Sequence, residues 1–436
     1  MEESVDNAAV AAWERPMPAG RLRGLQALGI FCGFAAGAWL GGAEAPIKLV
    51  NPDVSPITVS LIMVFGVFLA RWSVPAFVRG TAHVRSDLRQ APHLVIWAVL
   101  AGCMWAVANT LTIYAIRNVG LSIAFPLWNS NSLLGIFWGF LLFNELHYAG
   151  WRRWLGVLGG AAGMFAGATL LAFASSSQAA PGKATLGVMA ALGAGILWGT
   201  MYIPYRKAYL TGMNPLSFVT FFTVGELVTM TVLAVGYRGA VPLWHELQSS
   251  REVLFWLMLG GFVWVIGDLF QQYATKYVGI SRGIPLSNTN QLWGLLWGVL
   301  VFHELRGGSQ RLYAEVIGGS LVMALGAVAI ALSSATEREH SSWQDAADRE
   351  GVRYGVENGY VRAGLEGREF GATTNRRSVF DWLLIVSTTG IFIALAGIAR
   401  VPRVDVDLGW AVVITAAMLA LLATCGIALW RTTRFR

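Results

Sequence analysis

The sequence predicts an all-α polytopic membrane protein: a ten-helix bundle of two inverted five-helix repeats, followed by a C-terminal two-helix hairpin. Three observations carry that reading. Of 436 residues, 55% are hydrophobic and only 13% charged, whereas soluble domains carry about 25% charged residues. Windows of about 20 mostly apolar residues recur along the chain, each long enough to cross a hydrocarbon core of about 30 Å as a helix. One window is also written twice: Tyr114–Leu146 and Tyr273–Leu305 align without a gap at an offset of 159, with 17 of 33 positions identical.

The elements follow in chain order. An arm over 1–24 begins acidic and holds no short apolar stretch before a small-residue cleavage site, so no removable signal peptide is expected and the first span serves for insertion. The first repeat, 25–174, has expected spans at 25–47, 56–78, 93–116, 120–143 and 154–174. The second, 186–333, has them at 186–208, 214–237, 253–277, 280–302 and 311–333. Weaker matches widen the duplication: Pro56 with Pro215, Trp105 with Trp264, Asn109 with Asp268, and, at an offset of 158, Gly41 with Gly199 and Lys48 with Arg206. Five spans is an odd number, so the second copy enters from the opposite side, the inverted arrangement from which many transporters are built. A polar stretch, 334–378, reads as a cytoplasmic linker, and 379–436 reads as the hairpin and tail, with spans at 379–399 and 409–430.

Orientation comes from the basic residues. Of 32 Lys and Arg, 23 fall on the side of the N-terminus, which places both termini in the cytoplasm of a multi-pass protein of the cell inner membrane. The net charge of +7 is spread over span ends, a topology signal with no basic stripe for nucleic acid. Cys32, Cys103 and Cys425 lie inside apolar spans as small buried residues, with neither disulfide nor metal spacing.

The duplicated segment is polar where lipid tolerates little. Pro126 and Pro285 each remove a backbone donor, and Asn129, Asn131, Asn288, Asn290 and Gln291 follow them. Asparagines two apart do not share a helix face, so the helix is expected to be irregular here. Two readings stand: the amides line a central polar cavity, since non-helical backbone at membrane depth survives only against protein or water, or they bond across helices as structural glue. Trp128 and Trp293, beside the amides, are candidates for stacking on a polyhydroxylated ligand, with Asn109 as a further polar contact. The repeated GxxWG (Gly135 to Gly139, Gly294 to Gly298) reads as a close-packing device.

Ionisable residues inside spans are costly and point to function. Glu226, in the middle of its span, is the first candidate for a coupling-ion or proton site; a structural partner for a buried cation is the alternative. Asp268 comes second and Glu44, near Lys48, third. Glu145 and Glu304 close the repeated segments and read as solvated helix ends neutralised by Arg152, Arg153, Arg306 and Arg311, with gates or topology anchors as the alternative reading of all six. Arg282 reads as a gating group or a positive-inside anchor. No histidine pair with glutamate, P-loop or GxSxG is present, so neither an enzyme nor a resident cofactor is indicated.

At YVGISRGIPLSNTNQLWGLLWGVLVFHEL and MWAVANTLTIYAIRNVGLS the chain resembles the drug/metabolite transporter superfamily, and within it the glucose/ribose porter group that includes bacterial sugar uptake proteins and the L-rhamnose-proton symporter. The resemblance covers the ten spans. Pro285, Ser287, Gln291, Gly298 and Glu304 match its run, with Ser122 and Pro126 in the first copy. It implies cytoplasmic termini and proton-linked sugar uptake; the linker and the hairpin exceed its usual architecture. The expected partners are therefore a small sugar, a proton or sodium ion and the lipid bilayer, with a homodimer left open. Two other functions compete: export of small metabolites or drugs on the same fold, and a non-transporting membrane sensor or scaffold built around the extra C-terminal segment.

Overall fold

Two of the long helices open on the same device in both halves of the chain. Ser55 and Asn214 each precede a proline, and each side chain accepts a bond from a backbone N–H, that of Thr58 and of Leu216. A capping side chain followed by proline at the first helical position satisfies donors that the helix leaves unpaired and presets its first φ.

The computed structural model describes residues 18–43, 45–46, 54–119, 124, 127–175, 184–303, 306–307, 309–333, 335–368, 377–400 and 406–435. Among them the regular structure is all helical. In chain order the helices are α1 (Ala19–Gly42), α2 (Pro56–Val78), α3 (Ala82–Gln90), α4 (Leu94–Val119), α5 (Asn131–Phe143), α6 (Gly150–Ser175), α7 (Ala184–Leu210), α8 (Pro215–Arg238) and α9 (Ala240–Ser249). They continue as α10 (Leu254–Val278), α11 (Ile280–Ser287), α12 (Asn290–Leu296) with a π-helical turn over Trp297–Val301, α13 (Gln310–Leu332), α14 (Glu337–Tyr354), α15 (Asn358–Leu365), α16 (Val379–Ile398) and α17 (Leu408–Thr433).

Nine of these are long and apolar enough to cross a membrane among the described residues, namely α1, α2, α4, α7, α8, α10, α13, α16 and α17. The chain is a multi-pass membrane protein. Three of the twelve expected spans fall outside that set. The segment expected at 120–143 is regular helix only from Asn131. That expected at 280–302 is divided into α11, α12 and the π turn. The third is α6, helical throughout Gly150–Ser175.

Packing between helices comes in pairs. α1 lies along α10 as α7 lies along α4; α2 meets α10 as α8 meets α4; α1 meets α12 as α7 meets α5; α6 and α13 pair with each other. Glycines permit two of these approaches. A side chain at Gly41 would run into the Asn290 carbonyl, and one at Gly199 would press on Leu134 and the Asn131 carbonyl, so the amide-bearing helices sit directly on the backbones of α1 and α7.

Residues 335–368 of the stretch read as a linker are folded. Thr336 caps α14 by accepting from the Glu339 N–H, and α14 ends at left-handed Gly355. Trp343, Ala347, Tyr360 and Val361 are buried in the same core as α2, α4, α7 and α8. The two C-terminal helices dock separately: α16 on α2 and α10, α17 on α1 and the π turn.

Candidate functional site

Pro285 sits inside α11, and the chain turns at Asn288 and Thr289 before α12 begins. That turn aims amides into the bundle. Asn288 Nδ2 donates to Asn131 Oδ1 at 2.9 Å and to Ser132 Oγ at 2.6 Å, so the two copies of the repeated segment are bonded across. The equivalent bond with the copies exchanged runs from Asn129 Nδ2 to Asn290 Oδ1, and those two buried atoms have no hydrogen-bond partner. Gln291 Nε2 is likewise buried without one. Asn109 donates to Ser60 Oγ at 2.6 Å. Trp128 is packed among Ala115, Ala190, Ala191 and Ala194, and Trp293 against the core between α1 and α17. Each ring packs against a helix face. Pro126 and Glu44 lie outside the described residues.

The two carboxylates singled out in the sequence come together on a cation that the reading passed over. Arg71 of α2 places Nη2 3.0 Å from Asp268 Oδ2 on α10 and Nε 3.8 Å from Glu226 Oε2 on α8, and all three side chains are fully buried. Asp268 is well held: it also accepts from Gln272 Nε2 at 2.7 Å and from the Tyr205 hydroxyl at 3.4 Å. Neither oxygen of Glu226 has a hydrogen-bond partner. The Arg71 guanidinium lies 3.8 Å over the Phe222 ring and 5.5 Å from that of Trp264, a cation–π arrangement that favours retaining its charge in a dry site. One cation therefore serves two carboxylates. Trp264 in turn meets Trp105 edge to face at 5.0 Å and Trp198 at 6.1 Å. The indole N–H of Trp105 is buried and unbonded.

A second charged network closes the end of the bundle that carries α14 and α15. Glu145 is fully buried, which corrects its reading as a solvated helix end. Its partner is Arg206 of α7, Nε to Oε1 3.0 Å, in place of the expected Arg152 and Arg153. The Glu145 carboxylate also accepts from the N–H groups of Ile280 and Ser281 and from the Ser281 hydroxyl, at 3.1, 2.9 and 2.6 Å. It thereby caps the N-terminus of α11, where a negative charge is favoured by the helix dipole. Left-handed Gly279, φ 85°, leaves room for that carboxylate. Arg282 is 1% exposed and gives Nη1 and Nη2 to Glu339 of α14 at 2.8 and 3.0 Å, with Nε on the Ser333 carbonyl at 2.7 Å. Arg206 stacks 4.3 Å under Trp343. Lys207 reaches Glu350, and Tyr360 donates to Asp87. Glu304 lies outside the described residues.

Arg71, Tyr205, Arg206, Gln272 and Glu339 were missed by the sequence reading. The first had a signal: a single arginine inside an apolar span, seven residues before the end of α2. Among the described residues no cluster of metal-ligating side chains occurs.

A family model described as "Sugar transport protein" matches residues 189–360, from within α7 into α15. A protein of Streptococcus pyogenes serotype M1 named for sugar uptake is 43% identical over 68 residues, 15% of this chain and 24% of that protein. One from Lactobacillus johnsonii, similarly named, is 36% identical over 118 residues, 27% of this chain and 39% of that one. A third, from Listeria innocua serovar 6a, is 21% identical over 238 residues, 54% of this chain and 77% of that protein. The chain thus spans about a quarter of the length of the streptococcal relatives it matches.

Proposed function

We propose that the chain is a secondary transporter, and no enzyme, that imports a monosaccharide or related polyol by alternating access with proton coupling. The observation that carries this reading is the half-made amide pair. In a bundle of two inverted halves, changing the side to which the site opens exchanges the conformations of the halves. The bond from Asn288 to Asn131 in one state then becomes a bond from Asn129 to Asn290 in the other, and the described state makes the first while leaving the atoms of the second unbonded. The paired helix contacts support the ten-helix inverted arrangement, with α16 and α17 added to it.

The coupling site of this mechanism is the Arg71 cluster. With both carboxylates ionised the cluster holds one uncompensated negative charge at membrane depth, where charge is costly. Asp268, bonded to Arg71, Gln272 and Tyr205, remains the fixed anion; Glu226, held only by Arg71, takes up and releases the proton. Protonation neutralises the cluster and removes the charge that the moving halves otherwise carry across. Asp268 and then Glu44 are the next coupling groups if Glu226 is not one.

For the sugar, unbonded Asn129, Asn290 and Gln291 offer amide donors and acceptors for hydroxyls. Trp264, 5.5 Å from Arg71, with Trp105 edge to face against it, joins Trp128 and Trp293 as a candidate aromatic face. The sugar-transport family match and the names of the relatives support a sugar as substrate. Both termini and α14 and α15 lie on the cytoplasmic side of the inner membrane in this reading, so the described state is closed towards the cytoplasm. Arg282 is part of that closure.

The test is uptake of labelled glucose, ribose, rhamnose, fucose, an amino acid and a cationic drug into proteoliposomes, with and without an imposed pH gradient. One sugar should accumulate only with the gradient, and Glu226→Gln should lose accumulation while keeping sugar-for-sugar exchange. Flux of drug or amino acid with none of any sugar overturns the substrate; normal uphill accumulation by Glu226→Gln overturns the coupling site.

A further inference from the structure

α16 and α17 straddle a gap. Each docks on the bundle but the two hardly touch each other, and they are the least buried of the membrane-spanning helices, with 11% and 22% of their central windows covered. Between them, floored by α2, α8 and α10, lies a cavity of about 480 Å³ lined by Val74, Phe77, Phe270, Thr388, Gly426 and Leu429 among others. Its lining is almost wholly apolar. Water needs two to four polar partners to occupy a buried site, and the walls offer few. The medium around α16 and α17 is hydrocarbon, so a fatty acyl chain is the occupant at hand.

The two ends of the cavity differ. Its lining draws on the C-terminal half of α2, the N-terminal half of α16, the C-terminal half of α17 and Phe435, all towards the end of the bundle that carries α14. Exposed arginines crowd there. Arg377 donates to the carbonyl of Phe77, itself a lining residue. Arg434 precedes Phe435 and lies 5.4 Å over Trp430, and Arg431 is also exposed. One carboxylate at this end, Asp381, accepts from Thr81 and Ser378 and makes no bond to these arginines, so the three exposed cations outnumber it on the rim. An apolar slot below a basic rim on one face of a membrane protein is complementary to a phospholipid of negative headgroup.

We propose that this gap binds one acyl chain of an anionic phospholipid drawn from the surrounding bilayer, with its phosphate against Arg377, Arg431 and Arg434. The lipid completes the seam by which α16 and α17 are joined to the bundle. This site is independent of the transported substrate and stands whether or not the sugar reading does.

The test is native mass spectrometry of the full chain released from mild detergent, titrated with phosphatidylglycerol, phosphatidylethanolamine or phosphatidylcholine. Wild type should keep one phosphatidylglycerol in preference to the other two. Gly426→Phe projects into open space within the gap, since nothing lies near its added side chain; it should fold and lose the lipid. Arg377→Gln with Arg434→Gln should weaken retention about 30-fold, at about fivefold for each arginine near a membrane surface. Leu325→Phe, on the exposed face of α13, is the control and should bind as wild type does. Equal retention of all three lipids, undiminished phosphatidylglycerol on Gly426→Phe, or a lipid-free dimer that Gly426→Phe dissociates would overturn the proposal, the last by assigning the gap to a second copy of the chain.

Discussion

The contact between Arg282 and Glu339 joins α14 to the bundle, and its loss can be given a size. Glu339 accepts from both Nη atoms of Arg282 and, at 2.8 Å, from the Leu146 N–H. Both side chains are buried, at 1% and 0% exposure. Glu339→Gln keeps the shape, removes the charge and turns one acceptor into a donor facing the guanidinium. Stranding one member of a buried ion pair costs about 3 to 5 kcal/mol, and about 1.4 kcal/mol is a factor of ten, so the undocked population of α14 should rise about 100-fold or more. Arg338, Arg349 and Arg353 make α14 a trypsin substrate once it is released. Cleavage measured on reconstituted protein tracks the open population when opening and closing outpace the protease. Arg282→Met combined with Glu339→Leu exchanges the pair for apolar groups and should bring cleavage back to within about tenfold of wild type, because a buried pair and its apolar replacement differ little in stability. Wild-type cleavage of Glu339→Gln, or a double variant as sensitive as the single one, would refute the argument.

The same seal should respond to acid. The His340 imidazole on α14 is buried against Trp343 with neither nitrogen bonded, and burial, reinforced by the Arg206 charge and opposed by Glu339, holds its pKa down at about 4 from an ordinary 6.5. A depressed folded-state value means that docking is at full strength above about pH 6.5 and weakens as the pH falls towards 4. The total is about 3 kcal/mol at about 1.4 kcal/mol per unit, so hydrogen exchange of the α14 amides, taken relative to the unfolded-chain rate at each pH, should climb through that window in wild type and climb less in His340→Phe. Arg71→Met should destabilise the chain by about 3 to 5 kcal/mol by leaving Glu226 and Asp268 without their cation; adding Glu226→Gln and Asp268→Asn should recover most of the loss in thermal unfolding, and failure to do so removes the cluster as an electrostatic unit. Paired cysteines at Asn131 and Asn288 should crosslink in the described state, and those at Asn129 and Asn290 only under conditions that turn the site to the other side; equal crosslinking of both pairs in all conditions contradicts the exchange.

What was legible in the sequence was local or repeated. The interruption at Pro285 and Asn288 follows from a missing donor and two amides on incompatible faces, and the structure divides the helix there. Glu226 and Asp268 stood out because carboxylates are rare at such depth. Their shared cation was hidden by two averages: a hydropathy window absorbs one arginine among apolar neighbours, and the count of basic residues by side assigned Arg71 to the adjoining span end. Glu145 was paired with Arg152 and Arg153 because they are near in sequence, whereas its partner Arg206 lies 61 positions away and is brought in by α7. The folding of 337–365 was concealed by composition, although its period was on view: His340, Trp343, Ala347 and Gly351 recur at three- and four-residue steps and form the buried face of α14.

These misses share a physical cause that also bears on mechanism. A charge buried in a membrane protein is interpretable only with its partners, and here the partners come from other helices in unequal numbers. At Glu339 and Arg282 one anion meets one cation at close range, so the contact is stable as it stands and suits a latch. At Arg71 one cation meets two carboxylates, one bonded at 3.0 Å and the other held at 3.8 Å. Charge balance there requires a further positive species. That imbalance, more than the depth of Glu226 alone, is why the proposed mechanism assigns the proton to this cluster and not to the latch.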